Sequence, residues 1–317
     1  MALTWQIQTP TSSPGAVAVV QICGADGAEI DAALARLGLG SIPVGRVVVR
    51  DVCGVDRGLV ARWAESSVHL MPHGGAAVIR ALTAALIAAG FEEAKDPDPR
   101  AVYPEASSLI EARMLAALAR AASPLAIDLL LAQPRRWEEQ GAEAGGPNHD
   151  LQRLIEPPLV VAVGPPNIGK SSLVNALAGR RVSIVADEPG TTRDHVGVMI
   201  DMAGLVVRYV DTPGRRPAGW DVGEIEDEAA RLADAVTARA DLVLRCGDAG
   251  AAPLPAPPGA RCLAVAMRAD LGLPAWRHDA AVSALTGSGL RELAGLIRER
   301  LVGAAALADP RPWRFWA

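Results

Sequence analysis

Lysine is nearly missing from this chain. Of 31 basic residues only Lys95 and Lys170 are lysines, and asparagine occurs only as Asn148, Asn167 and Asn175. Against a background biased to arginine and alanine, a lysine or asparagine in a chemically demanding position is unusually informative. Cysteine is scarce as well. Cys23, Cys53, Cys246 and Cys262 form no CxxC and no metal-ligand spacing. That excludes a disulfide framework and a zinc module, and it fits reduced thiols in a cytoplasmic protein. Every apolar run breaks at a charge or a proline well short of the roughly 18 residues of a membrane helix, so none is expected. No charged side chain precedes Asp26, so the basic start of a secretory leader is lacking. Net positive charge is lacking too. At −5 the chain has no global field for coating nucleic acid, although a local RNA site stays open.

What is present suffices for a sizeable core. Half of the 317 residues are apolar and 21% are charged. At roughly 150 residues per domain, about two domains are expected. Residues 1–92 mix short β-like runs with turns. Ala16–Cys23 and Gly45–Asp51 read as strands rich in β-branched residues. Ala76–Ala89 reads as a helix behind His73-Gly74-Gly75, with Gly90 as its stop. Asp96–Arg100 is a proline-broken linker. Residues 105–133 have helical spacing interrupted at Pro124, and 138–150 read as a connector. From Leu159 the rhythm changes. Leu159–Val163, Val206–Asp211, Leu242–Cys246 and Leu263–Ala266 are apolar strands. Helices are expected near Lys170–Ala178, Ile225–Ala240 and Leu290–Leu301. Alternation of this kind implies crossovers and a mostly parallel sheet, hence an α/β class.

Directly after the strand Leu159–Val163 comes Gly164-Pro165-Pro166-Asn167-Ile168-Gly169-Lys170-Ser171-Ser172. This is GxxxxGK[ST] between a strand and a helix, the context a phosphate-binding loop requires. Gly164 and Gly169 let the chain wrap closely around phosphate oxygens. Backbone N–H groups and the helix N-terminus aim at the anion. Lys170 supplies a point charge to the β/γ-phosphates, and Ser171 offers a hydroxyl to Mg²⁺. Further on, Asp211-Thr212-Pro213-Gly214 ends a strand. There a carboxylate can hold Mg²⁺ through water, and Gly214 can offer an N–H to a γ-phosphate and hinge when it leaves. Between the two lies Pro189-Gly190-Thr191-Thr192-Arg193-Asp194, where a threonine hydroxyl can complete the Mg²⁺ shell.

In this order, PNIGKSSLVNAL, PGTTRD and DTPG resemble a translation-factor-class GTPase, most closely the tRNA-modification GTPase family MnmE (TrmE), with Era as a near relative. The resemblance covers about 156–302. More faintly it covers 12–90, where SSPGAVAVVQICG and His69-Leu70-Met71-Pro72-His73-Gly74-Gly75 resemble that family's folate-binding N-terminal domain. It implies a P-loop GTPase domain over 156–303, behind a small α/β domain over 1–92 and a reduced helical region over 93–155. A tail follows over 304–317. It also implies GTP and GDP as ligands and hydrolysis of GTP with Mg²⁺ and K⁺. A folate derivative, tRNA, an MnmG-like partner and a homodimer are further implied, and no membrane.

Residue by residue, the nucleotide would meet Gly164, Asn167, Ile168, Gly169, Lys170, Ser171, Ser172, Thr191, Thr192, Asp211 and Gly214. Ser171 and Thr192 would hold Mg²⁺, and Asn167 the potassium ion. For the base, the family's Asn-Lys-x-Asp appears as Met267-Arg268-Ala269-Asp270. Asp270 would read the guanine N–H groups and Arg268 would lie over the ring. Met267 cannot donate the expected amide bond, a loss of about 1 kcal/mol that weakens guanine binding without abolishing it. Ser283-Ala284-Leu285 resembles the family's following motif, with Ser283 and Ala284 beside the base. Arg215 stands where many small GTPases carry a catalytic glutamine. The family also lacks that glutamine and uses potassium and a switch-II glutamate. Glu226 is the best match, with Glu224 and Glu228 close by, so the catalytic set is Glu226, Asn167 and Thr192.

The family's C-terminal Cys-x-Gly-Lys motif has no counterpart here. The last cysteine is Cys262, and the residues end Pro312-Trp313-Arg314-Phe315-Trp316-Ala317. That tail invites base stacking, or docking on its own domain or on a partner. Three functions follow from these residues: a GTP hydrolase like that of tRNA wobble-uridine modification, a nucleotide-binding scaffold with little turnover, or an Era-like RNA-associated GTPase.

Overall fold

The computed structural model of the chain describes residues 3–9, 15–95, 97–179, 182–183, 197–214 and 224–316, without the side chains of 142, 182–183 and 224–230. Two compact units result. The first is Met1–Arg120 with Leu131–Glu139 and Trp316. The second is Ala121–Leu130 with Gln140–Phe315.

In the first unit, β1 (Thr4–Ile7), β2 (Val20–Cys23), β3 (Arg46–Val52), β4 (Asp56–Ala64), β5 (Ser67–Met71) and β6 (Glu92–Glu93) form one sheet. Its order is β3-β4-β5-β2-β1-β6, antiparallel except where β6 joins β1. Helices α1 (Gly27–Arg36) and α2 (Ala76–Ala88) belong to the same core, which gathers Trp5, Ile22, Ile30, Leu34, Val60, Leu70, Leu82, Leu86 and Phe91. Asp26 caps α1 by accepting the Glu29 N–H at 2.9 Å, satisfying a donor that the first turn leaves open. The strand expected over Ala16–Cys23 is shorter. Regular pairing starts at Val20, while Val17 makes only an isolated bridge to His73. α3 (Pro99–Val102) and α4 (Leu109–Arg120) follow.

Around Pro124 the helical stretch breaks as expected, and α5 (Ala126–Leu131) starts beyond it. The connector expected over 138–150 is more ordered than that. It holds the end of α6 (Gln133–Gln140), a 3₁₀ turn and α7 (His149–Gln152), which Asn148 caps through two backbone N–H groups.

The second unit is built on β7 (Leu159–Val163), β8 (Val182–Ser183), β9 (Val198–Met202), β10 (Leu205–Asp211), β11 (Leu242–Gly247), β12 (Cys262–Ala266) and β13 (Ala280–Ala281). The order is β13-β12-β11-β7-β10-β9-β8, parallel from β13 to β10 and antiparallel at β9 and β8. β7 is apolar throughout because a central parallel strand is covered on both faces, and Val160–Val163 are all buried. α8 (Lys170–Ala178), α9 (Glu224–Ala238), α10 (Leu290–Leu301) and the short α11 (Ala304–Leu307) complete the unit. Leu290, Leu293, Ile297 and Leu301 give α10 its buried stripe. The carboxyl ends of β7, β10, β11 and β12 lie side by side, the location where open α/β sheets bind ligands.

The aromatic tail is docked. Trp313 and Phe315 are buried, and Arg314 N donates to Gly146 O at 2.8 Å, so the strand-like tail pairs with the segment before α7. Trp316 meets Trp137 and the guanidinium of Arg113 within the first unit. Of the readings open for these rings, docking on the chain itself is the one the described residues show. Aromatic area of this size gains more from burial than from waiting in water.

Candidate functional site

Where β7 ends, the chain turns back on itself before α8. Asn167 and Gly169 sit at φ +61° and +95°. Gly169 suits its place because that conformation costs glycine nothing. Gly164 is required for a different reason. A Cβ there would stand 2.3 Å from the Cys246 carbonyl oxygen, so the loop lies flush on the end of β11.

Inside this bend Lys170 is buried, with 6% of its surface exposed. Its Nζ donates to the carbonyl oxygens of Gly164 at 3.2 Å and Pro165 at 2.9 Å. Burial pulls the ammonium below the ordinary lysine range, while the nearby Asp211 carboxylate opposes the shift. The ammonium is thus held within the loop whose phosphates it is expected to meet.

Two segments converge here. Thr212 donates from its hydroxyl to Ala162 O at 2.7 Å, fastening the turn after β10 to β7. Gly214 comes so close to the loop that a Cβ would stand 2.3 Å from Pro166 Cα. Ser171 Oγ donates to Asp211 Oδ2 at 2.5 Å. The other carboxylate oxygen, Asp211 Oδ1, is buried without a hydrogen-bond partner among the described residues. A buried acceptor with no donor is costly, and a hydrated hard cation beside Ser171 would satisfy it. The donor set therefore fits Mg²⁺.

The loops expected to hold the base lie at the ends of the neighbouring strands. Met267 is buried and donates its N–H to Gly247 O at 2.7 Å. Its Cε lies 3.9 Å from the place of a Cβ on Gly169, so the side chain fills space beside the phosphate loop. Arg268 takes a left-handed conformation, φ +53°, and its guanidinium pairs with Asp248. Asp248 was not anticipated from the sequence. It is buried, accepts the N–H groups of Gly250 and Ala251 at 2.9 and 2.8 Å, and its carbonyl accepts the Trp276 indole N–H at 3.0 Å. The available signal was an aspartate followed by small residues at a strand end, an Asx-turn pattern. Asp270 lies exposed on the 3₁₀ turn Ala269–Leu271, and Ala269 N donates to Val282 O at 3.0 Å. Ser283 is buried and holds its own loop by accepting the Thr286 N–H, with Ala284 half-buried next to it. Ile168 is buried under the phosphate loop, and Ser172 is exposed on α8.

Thr191, Thr192, Arg193, Asp194 and Arg215 lie outside the described residues. Glu226, with Glu224 and Glu228, falls on α9, and these side chains also lie outside them.

The first unit has its own concave site. One face of its sheet carries Gln21 and His69 under α3 and α4. Buried Gln21 accepts from Gln6 and Gln8 at 2.8 and 2.7 Å, and donates to Ser67 Oγ and Val102 O, both at 2.8 Å. A cavity of about 470 Å³ is lined by Gln8, Trp63, His69, Tyr103, Pro104 and Glu105 among others. Trp63 Nε1 donates to His69 Nδ1 at 3.1 Å. Burial pulls His69 below the ordinary histidine range, with Glu105 opposing. His73 lies elsewhere on the unit. Its backbone N–H and ring Nδ1 both meet Asp56, at 2.7 and 2.9 Å, and hold that carboxyl below the usual range. Gly74 is pressed against Gly15, with only 2.1 Å from a Cβ to the Gly15 oxygen, so the glycines form the tight turn into α2.

Comparison with known proteins bears on both units. A model of the family described as 50S ribosome-binding GTPase matches residues 159–258. The tRNA modification GTPase MnmE of Acidiphilium cryptum is 34% identical, over 94% of this chain and 82% of that protein. The protein of the same name from Mesorhizobium japonicum is 43% identical, over 49% of this chain and 36% of its own length. Among solved structures, a crystal structure of Aquifex aeolicus Era is similar at 28% identity and a TM-score of 0.36, over 45% of this chain and 56% of that one.

Proposed function

The chain belongs to the MnmE family of tRNA modification GTPases, and from that premise we propose how its own residues bind and hydrolyse GTP. The GTPase domain is taken as 156–303. Its substrate is GTP, and the reaction gives GDP and phosphate by in-line attack of water. Backbone N–H groups of Gly164–Ser172 receive the phosphates, and Lys170 leaves the carbonyls of Gly164 and Pro165 for the β/γ oxygens. Ser171 and Thr192 would hold Mg²⁺, with Asp211 reaching it through water, and the ion would supply positive charge to offset that developing on the phosphates. The observation that carries this reading is Asp211, with one oxygen on the Ser171 hydroxyl and the other buried and unmatched.

Asn167 would hold a potassium ion, which would supply the positive charge that an arginine finger gives elsewhere. Glu226 orients the attacking water, Gly214 senses the γ-phosphate and Thr191 belongs to the switch that closes on it. Asp270 accepts from guanine, Ser283 and Ala284 border the base, and Arg268 covers it while fastened to Asp248.

tRNA is the macromolecular substrate, with an MnmG-like partner in the cytoplasm. Among the described residues no helix is long and apolar enough to cross a membrane. The chain pairs as a homodimer through its first unit, where Val47, Val49 and Leu59 leave the β3–β4 face apolar and exposed. A folate derivative, implied by the resemblance, would take the cavity of that unit, whose lining among the described residues includes Trp63, His69, Tyr103 and Glu105.

Steady-state phosphate release tests the reading. K⁺ should raise the rate above that in Na⁺, and Lys170→Ala should fall to background. GTP binding without turnover above that background would favour a scaffold instead. Titration with GTP, GDP, ATP and XTP should rank the guanine nucleotides first, and a preference for ATP would remove Asp270 from its role.

A further inference from the structure

Only two tyrosines occur in the chain, and Tyr209 stands buried inside β10, two residues before Asp211. Phenylalanine would bury the same ring with no hydroxyl to desolvate, so this hydroxyl needs a partner. Residues two apart on a strand share a face. The phenol and the Asp211 carboxylate therefore stand on one side of the sheet, the side on which Ser171 of α8 meets Asp211. Polar atoms under the phosphate loop can be matched one by one. The Lys170 ammonium donates to Gly164 O and Pro165 O, and the Thr212 hydroxyl to Ala162 O. The Cys246 thiol donates to Leu244 O at 3.7 Å, and the Ser171 hydroxyl to Asp211 Oδ2. Among the described residues one donor and one acceptor are left over there, the Tyr209 hydroxyl and Asp211 Oδ1, and both are buried. Burial, then the Cys246 thiol and the Asp211 carboxylate, pushes the phenol well above the ordinary tyrosine range, so the hydroxyl keeps its proton to donate.

We propose that Tyr209 is a positioning residue for Asp211: its hydroxyl is the donor for Asp211 Oδ1, with one buried water between them, and it fixes the direction in which the carboxylate faces Mg²⁺. Two buried polar groups beyond direct hydrogen-bond reach are what a single water joins. A carboxylate oxygen has two lone pairs, so Oδ1 can accept from this water and from the hydration shell of a cation together. Without the phenol, Asp211 would be pinned through Ser171, whose hydroxyl must leave it to meet Mg²⁺. The phenol is then the contact that persists when nucleotide binds. The inference rests on the GTP reading above, which assigns Asp211 to Mg²⁺, and it adds a residue that motif spacing does not reach.

Calorimetric titration of the full chain with a non-hydrolysable GTP analogue, in Mg²⁺ and in EDTA, decides it. For the unsubstituted chain Mg²⁺ should tighten binding. Tyr209→Phe should bind the analogue as before in EDTA and lose about fivefold of the Mg²⁺ gain, the effect of one hydrogen bond to a carboxylate relayed by water. With Asp211→Ala in place, Tyr209→Phe should change nothing further, whereas a purely structural role of the ring would give the same loss in either background. A melt of the nucleotide-free chain is an independent readout. Tyr209→Phe removes an engaged hydroxyl, so the melting temperature should fall, whereas removal of a buried hydroxyl with no partner would raise it. The proposal fails if that temperature rises, or if Tyr209→Phe keeps the full Mg²⁺ gain. If Mg²⁺ leaves the affinity of the unsubstituted chain unchanged, the assignment of Asp211 to Mg²⁺ fails as well.

Discussion

Single atoms decide whether the phosphate loop can form. Gly214 has no room for a side chain, since a Cβ would stand 2.3 Å from Pro166 Cα and 2.5 Å from its nitrogen. Gly214→Ala should push the loop off its position and cost about 1–3 kcal/mol of stability, as overpacking does. Nucleotide affinity should fall with it, and a melt with and without GDP separates the two effects. Under the same loop lies Cys246, whose thiol burial pushes up to about 12. A raised value means the thiol keeps its proton through neutral and mildly alkaline pH, so no thiolate is available to react. Disulfide exchange with an aromatic disulfide reagent at about pH 8 should therefore consume Cys23, Cys53 and Cys262 before Cys246, which should react only on unfolding. Asp248 is the residue whose removal should be felt furthest. Asp248→Ala frees the Gly250 and Ala251 N–H groups and leaves Arg268 unpaired, for about 2 kcal/mol in a denaturant titration. If Asp248 also steadies Arg268 over the base, GDP affinity should drop beyond the stability loss, and Arg268→Ala should give no further drop in the double variant.

At the level of elements, the strands that were readable were those buried on both faces. Leu159–Val163 has the bounds its continuous apolar run implied, as do the helices Lys170–Ala178 and Leu290–Leu301. Their pattern is local and matches the environment that buries them. β4 and β5 were not readable in this way. Asp56–Ala64 mixes arginines and Gly58 with its apolar residues, because Arg62 is buried on Asp31 and the Ile42 carbonyl while Trp63 stands at the cavity. β9 escaped as well, since its partner β10 supplies most of the apolar signal. Their hairpin turn is visible only in retrospect. Ala203 and Gly204 sit at φ +54° and +90°, as a tight two-residue hairpin turn demands, and Asp201 accepts the Gly204 N–H at 2.6 Å. Gly204→Ala would set a Cβ 2.8 Å from Leu125 Cγ in a conformation alanine resists. A loss of about 1–3 kcal/mol is expected, read as a lowered melting temperature. In the site, motif spacing gave the phosphate half because a nucleotide's phosphates demand fixed backbone chemistry. The base half was less legible. Its anchor, Asp248, works through tertiary contacts to Arg268 and Trp276 that lie 20 and 28 residues away.

On the scale of the whole molecule, the open question is what covers the bare half of the first unit's sheet. Val47 and Val49 on β3 and Leu59 on β4 expose 46%, 52% and 41% of their surface. Val49 and Leu59 face each other across the ladder, so they share one side of the sheet. β3 is also an edge strand, with unpaired backbone groups available to another strand. An apolar face joined to an open edge is unstable in water unless it is covered, and a two-fold copy of the same surface is the economical cover. Val49→Glu puts a charge at the middle of that face without touching either the phosphate loop or the core. Sedimentation of the unsubstituted chain should give the mass of a dimer that dissociates on dilution. Val49→Glu should give a monomer at the same concentration, with an unchanged melt once both are compared as monomers. A monomeric unsubstituted chain, or a Val49→Glu dimer as tight as the original, would place the pairing surface elsewhere. Either result would leave the Lys170 and Asp211 chemistry intact, because those residues belong to the other unit.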